Sequence, residues 1–181
     1  MIKTRWFVVP GLALLAGCVS QPPVPLVVTS APTQMYSEVL VAAGTDEHEF
    51  TVRPLRDPQV EDLRSSAKAA LAAQDAATAA GLLDTALQLV PDDPALLQER
   101  AELALLLSQF EHAEQLALRA VELGSATGPL CRRHWETARQ VRRWRRELSA
   151  TGTAQRFTPG ESENEALRQR DACTVPGINR M

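Results

Sequence analysis

The feature that most constrains this 181-residue chain is a self-similarity at a spacing of 34 residues. Leu63 falls on Leu97, Ala67 on Ala101, Ala70 on Ala104, Ala79 on Ala113 and Ala86 on Ala120. Small residues recur where two helices must approach closely, and a fixed repeat of this length is the mark of stacked supersecondary units that bury their apolar faces only against one another. Within each unit the apolar residues follow helical spacing. Leu63, Ala67, Ala70 and Leu71 share one face, followed by Ala79, Leu83, Ala86 and Val90, with Pro91 as the stop. The second unit repeats the design with Leu97, Ala101 and Ala104, a break at Ser108-Gln109, then Phe110, Ala113, Ala117 and Ala120, with Gly124 as the helix stop.

This pattern resembles the tetratricopeptide (TPR) repeat, a helix pair of 34 residues. The matching positions are Ala67, Ala79, Ala86 and Pro91 in the first unit and Ala101, Phe110, Ala113 and Ala120 in the second. The match departs at Ala76, Ala70 and Ala104, where larger side chains are usual, and at Ser125, where the family closes with proline. A third unit begins with Cys131, Trp135 and Ala138, continues along the same stripe through Val141, Trp144 and Leu148, and lacks a second helix. It reads as a helix that caps the end of the stack. The expected fold is therefore all-α: a short TPR-like solenoid of helical hairpins, about two repeats plus a capping helix, behind an extended N-terminal linker.

The N-terminus carries an address. Lys3 and Arg5 precede an apolar run from Trp6 to Ala16, too short to span a bilayer and broken by Ser20, Gln21, Pro22, Pro23 and Pro25. Leu15-Ala16-Gly17-Cys18 resembles the lipobox of bacterial lipoproteins, which implies a signal peptide over 1–17, cleavage before Cys18, and acyl chains on Cys18 as the anchor. The resemblance further implies an outer-membrane protein facing the periplasm, because Val19 rather than aspartate follows the cysteine. Residues 18–58 are read as a flexible linker, rich in proline, serine and threonine at its start, with a weak hairpin of Val39–Val41 against Phe50–Val52 as an alternative for part of it. Residues 59–148 form the helical domain and 149–181 a polar tail, with a short helix expected within Glu161–Ala172.

Once Lys3 and Arg5 leave with the signal, the formal charge of −3 becomes −5, which disfavours nucleic acid as a partner. Cys131 and Cys173 then remain as an even pair in an oxidising compartment, either bonded to each other or present as two thiols. No nucleotide-binding, zinc-protease or nucleophile-elbow motif is present, and His48, His112 and His134 are scattered, so neither an enzyme nor a metal or cofactor site is expected. Asp92 and Asp93 read as helix-start residues.

The charge is unevenly placed. Arg132, Arg133, Arg139, Arg142, Arg143, Arg145 and Arg146 crowd the capping helix against Glu136 and Glu147. In TPR-like proteins partners lie along the concave surface formed by the first helix of each pair. By register that face holds Arg64, Lys68, Gln98, Glu102, Arg132 and Arg139, four of them basic, which implies an acidic segment of an envelope protein as ligand. The expected function is that of a lipid-anchored adaptor in envelope assembly. The rivals are a cell-wall or polysaccharide-active enzyme and a structural envelope protein that associates with itself.

Overall fold

The computed structural model describes residues 30–44, 57–150 and 162–174, apart from the side chain of Ala150. The described residues form seven helices and no strand: α1 (Pro32–Ala42), α2 (Pro58–Ala72), α3 (Ala76–Leu89), α4 (Pro94–Leu106), α5 (Phe110–Leu123), α6 (Pro129–Ala150) and α7 (Glu163–Ala172). The signal segment, Cys18 and Phe50–Val52 lie outside them. None of these helices is long and apolar enough to cross a membrane.

The 34-residue spacing reappears in the backbone. Two residues past the end of α2 stands Gln74 at φ 64°, and two past the end of α4 stands Ser108 at φ 59°, positions 34 apart. Asp75 N–H donates to the Ala70 carbonyl at 2.9 Å, and Gln109 N–H donates to Ala104 at 2.8 Å. Gln74 N–H reaches Leu71, and Ser108 N–H reaches Leu105. Each turn thus satisfies two terminal carbonyls through a left-handed residue, and the chain reverses at once into the next helix. Both first helices begin with Asp-Pro. The Asp57 carboxylate accepts from Gln59 N–H and that of Asp93 from Ala95 and Leu96 N–H, while proline fills a position whose N–H would have no partner.

The helices stack in chain order, α2 on α3, α3 on α4, α4 on α5, α5 on α6 and α6 on α7. α4 is the central element, with Leu96, Leu97, Gln98, Arg100, Ala101, Glu102, Leu103, Ala104 and Leu105 all buried. Two cores flank it. One joins Val60 and Ala67 of α2 to Ala79, Leu83 and Ala86 of α3 and to Leu96 and Leu103 of α4. The other joins Ala104 and Leu105 to Phe110 and Ala113 of α5 and Val141 of α6, with the Trp144 ring tilted against Phe110 at a centroid distance of 4.4 Å.

That second core holds two residues from the segment expected to be a linker. Met35 and Val39 of α1 are fully buried in it. Residues 32–42 are therefore helical and packed, which corrects the linker assignment there and also the alternative of a strand at Val39–Val41. The physical reason is the spacing of the two anchors. Positions i and i+4 share a helix face, and full burial of each contributes about 1.5–3 kcal/mol. At the other end, the expected short helix is α7, and the structure brings Cys131 and Cys173 to disulfide-bonding distance, with Cα atoms 5.8 Å apart.

Candidate interaction groove

α2, α4 and α6 line a groove, and α1 lies in it against α4 and α6. Its apolar anchors face the second core, and its polar contacts fall to arginines. The Glu38 carboxylate accepts from Arg143 Nη1 at 3.1 Å, from Arg139 Nη2 at 3.2 Å and from Gln140. At the C-terminus of α1, Arg132 Nε donates to the Ala42 and Ala43 carbonyls at 3.1 and 3.2 Å, supplying a cap that α1 has no basic residue to provide. Gly44 lets the guanidinium approach. Its φ is +77°, and a Cβ there would stand 3.2 Å from Arg132 Nη2. At the other end Ser30 N–H donates to the Glu147 carboxylate at 3.2 Å.

Beside α1 the groove stays open as a cavity of about 270 Å³. Its walls are Tyr36 and Leu40 of α1, Arg64, Ala67, Lys68 and Leu71 of α2, Leu83 of α3, Glu99, Glu102 and Leu103 of α4, and Arg133 of α6. Arg64 is buried and forked onto Glu99, with Glu61 on its remaining nitrogen at 2.9 Å. Arg133 Nε donates to Glu102 at 2.8 Å. Burial first, and then the Glu102 carboxylate, push the Tyr36 phenol above its ordinary value, against the opposing pull of Arg133. It therefore faces the cavity as a neutral hydroxyl. Lys68 is exposed at the margin and enters no ion pair among the described residues.

The six residues expected to face a partner thus divide. Arg64 and Lys68 line the open cavity, as does the edge of Glu102. Gln98 is fully buried, donating to Glu102 at 2.8 Å and to Thr137 at 2.9 Å, so it presents no surface, and Glu102, 4% exposed, offers the cavity only that edge. Arg132 and Arg139 contact α1, and Arg139 also pairs with Glu136 and with Glu163 of α7. The cause is central placement: α4 is enclosed by α1, α3, α5 and α6. Its polar side chains therefore meet internal partners.

The basic face of α6 meets a similar end. Arg133 pairs with Glu102, Arg142 and Arg145 with Glu114, Arg143 with Glu38, and Arg146 with Glu163. Acids from α1, α4, α5 and α7 converge on one helix, which is why an arginine run that looks open in the sequence is largely neutralised in the fold. Sequence reasoning missed Glu38, Glu99 and Tyr36. The signal available for α1 was the Met35–Val39 pair behind Pro32, a pattern too short to stand out.

His134 is buried beneath the groove. Its Nδ1 lies 2.8 Å from Gln98 Oε1, an acceptor because the Gln98 amide nitrogen is committed to Glu102 and Thr137. Nδ1 therefore carries the hydrogen, and buried Nε2 is left with no partner. Burial, with the Arg133 charge second, holds the ring down at about 3, so it is neutral at ordinary pH. Among the described residues no cluster of three His, Cys, Asp or Glu side chains could hold a metal. No protein-family model matches the chain, and neither the curated proteins nor the solved structures searched gave a match.

Proposed function

We propose that this chain is a TPR-like adaptor of the bacterial cell envelope, anchored by lipid on Cys18 at the outer membrane and facing the periplasm, as its lipobox implies, and that it binds a segment of another envelope protein in the groove between α2, α4 and α6. The observation that carries the reading is the groove itself. It already accommodates a helix, and next to that helix it keeps an apolar-floored cavity rimmed by Arg64, Lys68 and Glu99. An apolar floor with a few placed charges is how a binding site combines affinity with orientation.

The test is crosslinking in living cells with a photoreactive residue at position 68, at the cavity margin, or at position 112, an exposed position on α5. A discrete adduct formed from 68 and absent from 112 is the expected result. Identical labelling from both positions would reject the groove as the site. The anchor is tested separately, since Cys18→Ser should abolish incorporation of labelled palmitate.

A further inference from the structure

α1 sits in the groove as a bound peptide would. It has 11 residues, no side-chain cap at Ala31, no acid in its first turn and no base in its last. A helix this short and this poorly capped is marginal alone, so its order depends on what the groove supplies. The groove supplies three things: an apolar floor of Leu105, Phe110 and Val141 for Met35 and Val39, paired arginines 139 and 143 for Glu38, and Arg132 for the terminal carbonyls. The fit also wastes surface, since Leu40 and Val41 remain 42% and 78% exposed.

We propose that the α1 seat is a receptor for an acidic amphipathic helix of a partner protein, and that α1 is a resident occupant which this helix displaces. The inference rests on the adaptor reading and names the partner's chemistry and its regulation. The partner helix carries two apolar residues at i and i+4 with a carboxylate at i+3, the pattern of Met35, Glu38 and Val39, and runs its C-terminus toward Arg132. Charge complementarity selects it, because Arg132, Arg139 and Arg143 all turn toward this seat. Being part of the same chain, α1 competes at an effective concentration on the order of millimolar. A partner wins by being the better-capped helix, and its apparent affinity is reduced by the fraction of seats that α1 holds.

The experiment uses the full-length chain in detergent and a fluorescent peptide with the sequence of residues 30–44. Met35→Ser/Val39→Ser loosens α1 in place, and this chain should bind the peptide at least about tenfold more tightly than the unsubstituted one. A peptide carrying Glu38→Arg should bind at least about tenfold more weakly, and a further Arg143→Glu in the chain should restore it. Equal affinity for the loosened and unsubstituted chains, or no binding to a loosened chain that keeps its helical circular dichroism, would overturn the proposal. Should the loosened chain not fold, hydrogen exchange on the unsubstituted chain decides: α1 amides must exchange faster than those of α4, and equal protection overturns displacement. A dimer in light scattering that the α1 substitutions abolish would also overturn it, giving the seat to a second copy. Failure of peptide binding leaves the crosslink from position 68 intact, so the two readings fail separately.

Discussion

Glu38 of α1 and Arg139 of α6 are 101 residues apart in the chain and 3.2 Å apart in the fold. Their contact joins the first described helix to the longest one. Burial alone would raise the Glu38 pKa, but hydrogen bonds from Gln140 and Gln34 and the Arg143 charge outweigh it and hold the carboxyl below its ordinary 4.5. A depressed carboxylate stabilises the docked state above the unfolded value, and that stabilisation is lost as pH falls through the folded one. α1 should therefore loosen below about pH 4.5. Hydrogen exchange of α1 followed from pH 6 to pH 3.5 should show this, and Glu38→Gln should flatten the dependence while costing about 1 kcal/mol of docking at neutral pH. An α1 exchange profile that is unchanged by Glu38→Gln at both ends of the range would contradict the assignment.

His134 makes a separate and global prediction. Its ring is held at about 3 in the fold against 6.5 when exposed, so between those values the unfolded chain binds a proton that the folded chain does not. Stability is complete above about pH 6.5 and falls as the solution is acidified, by about 2 kcal/mol between pH 7 and pH 5. His134→Gln should remove most of that slope. Urea denaturation at the two pH values measures it, and a slope equal to that of the unsubstituted chain would show that His134 is not the group responsible.

The helix pairs were legible because they depend on local chemistry that the sequence states outright: small residues at fixed spacing, Pro91 and Gly124 as stops, Asp92 and Asp93 at a helix start, a break at Ser108-Gln109. Their backbone signature recurs at the same interval. α1 was not legible, since only Met35 and Val39 mark it and their burial depends on Val141 and Phe110, far along the chain. The groove residues were half legible for the same reason. Register placed Arg64, Lys68, Gln98, Glu102, Arg132 and Arg139 on the first helices, but no register reveals that Glu38 and Glu163 arrive from outside the repeats to meet Arg139.

Comparing the two hairpins exposes a difference that can be repaired. Asp75 caps α3 by accepting from Thr78 N–H at 2.9 Å, whereas Gln109, its counterpart 34 residues on, makes no side-chain cap on α5. Gln109→Asp should recover the missing bond and stabilise the protein by about 0.5–1.5 kcal/mol. Ser108→Gly should add up to about 1 kcal/mol, because glycine adopts the left-handed turn without the steric cost that serine bears there. Thermal denaturation of the single and double variants tests both. No gain from Gln109→Asp would mean that the α5 start is already satisfied by other means.

α7 offers the clearest case of a small element held by covalent and ionic contacts together. Besides the bond between Cys131 and Cys173, it buries Ala166, places Arg170 at 2.8 Å from Glu136, and brings Glu163 to Arg139 and Arg146. Closing a loop with a separation of 42 residues stabilises the fold by about 4 kcal/mol in the chain-entropy model, before any strain is subtracted. Cys131→Ser/Cys173→Ser should therefore cost about 2–4 kcal/mol. The loss should be local first: a helix of 10 residues with one buried side chain is left with only the Glu163 and Arg170 ion pairs besides, so its amides should lose protection while α2 to α5 keep theirs. Both cysteines are at most 4% exposed, so reductant acting on the native protein must wait for α7 to open, and reduction should accelerate sharply in denaturant. Exchange of the α7 amides before and after reduction decides the matter. Protection that survives reduction undiminished would show that Glu163 and Arg170 hold α7 without the covalent link.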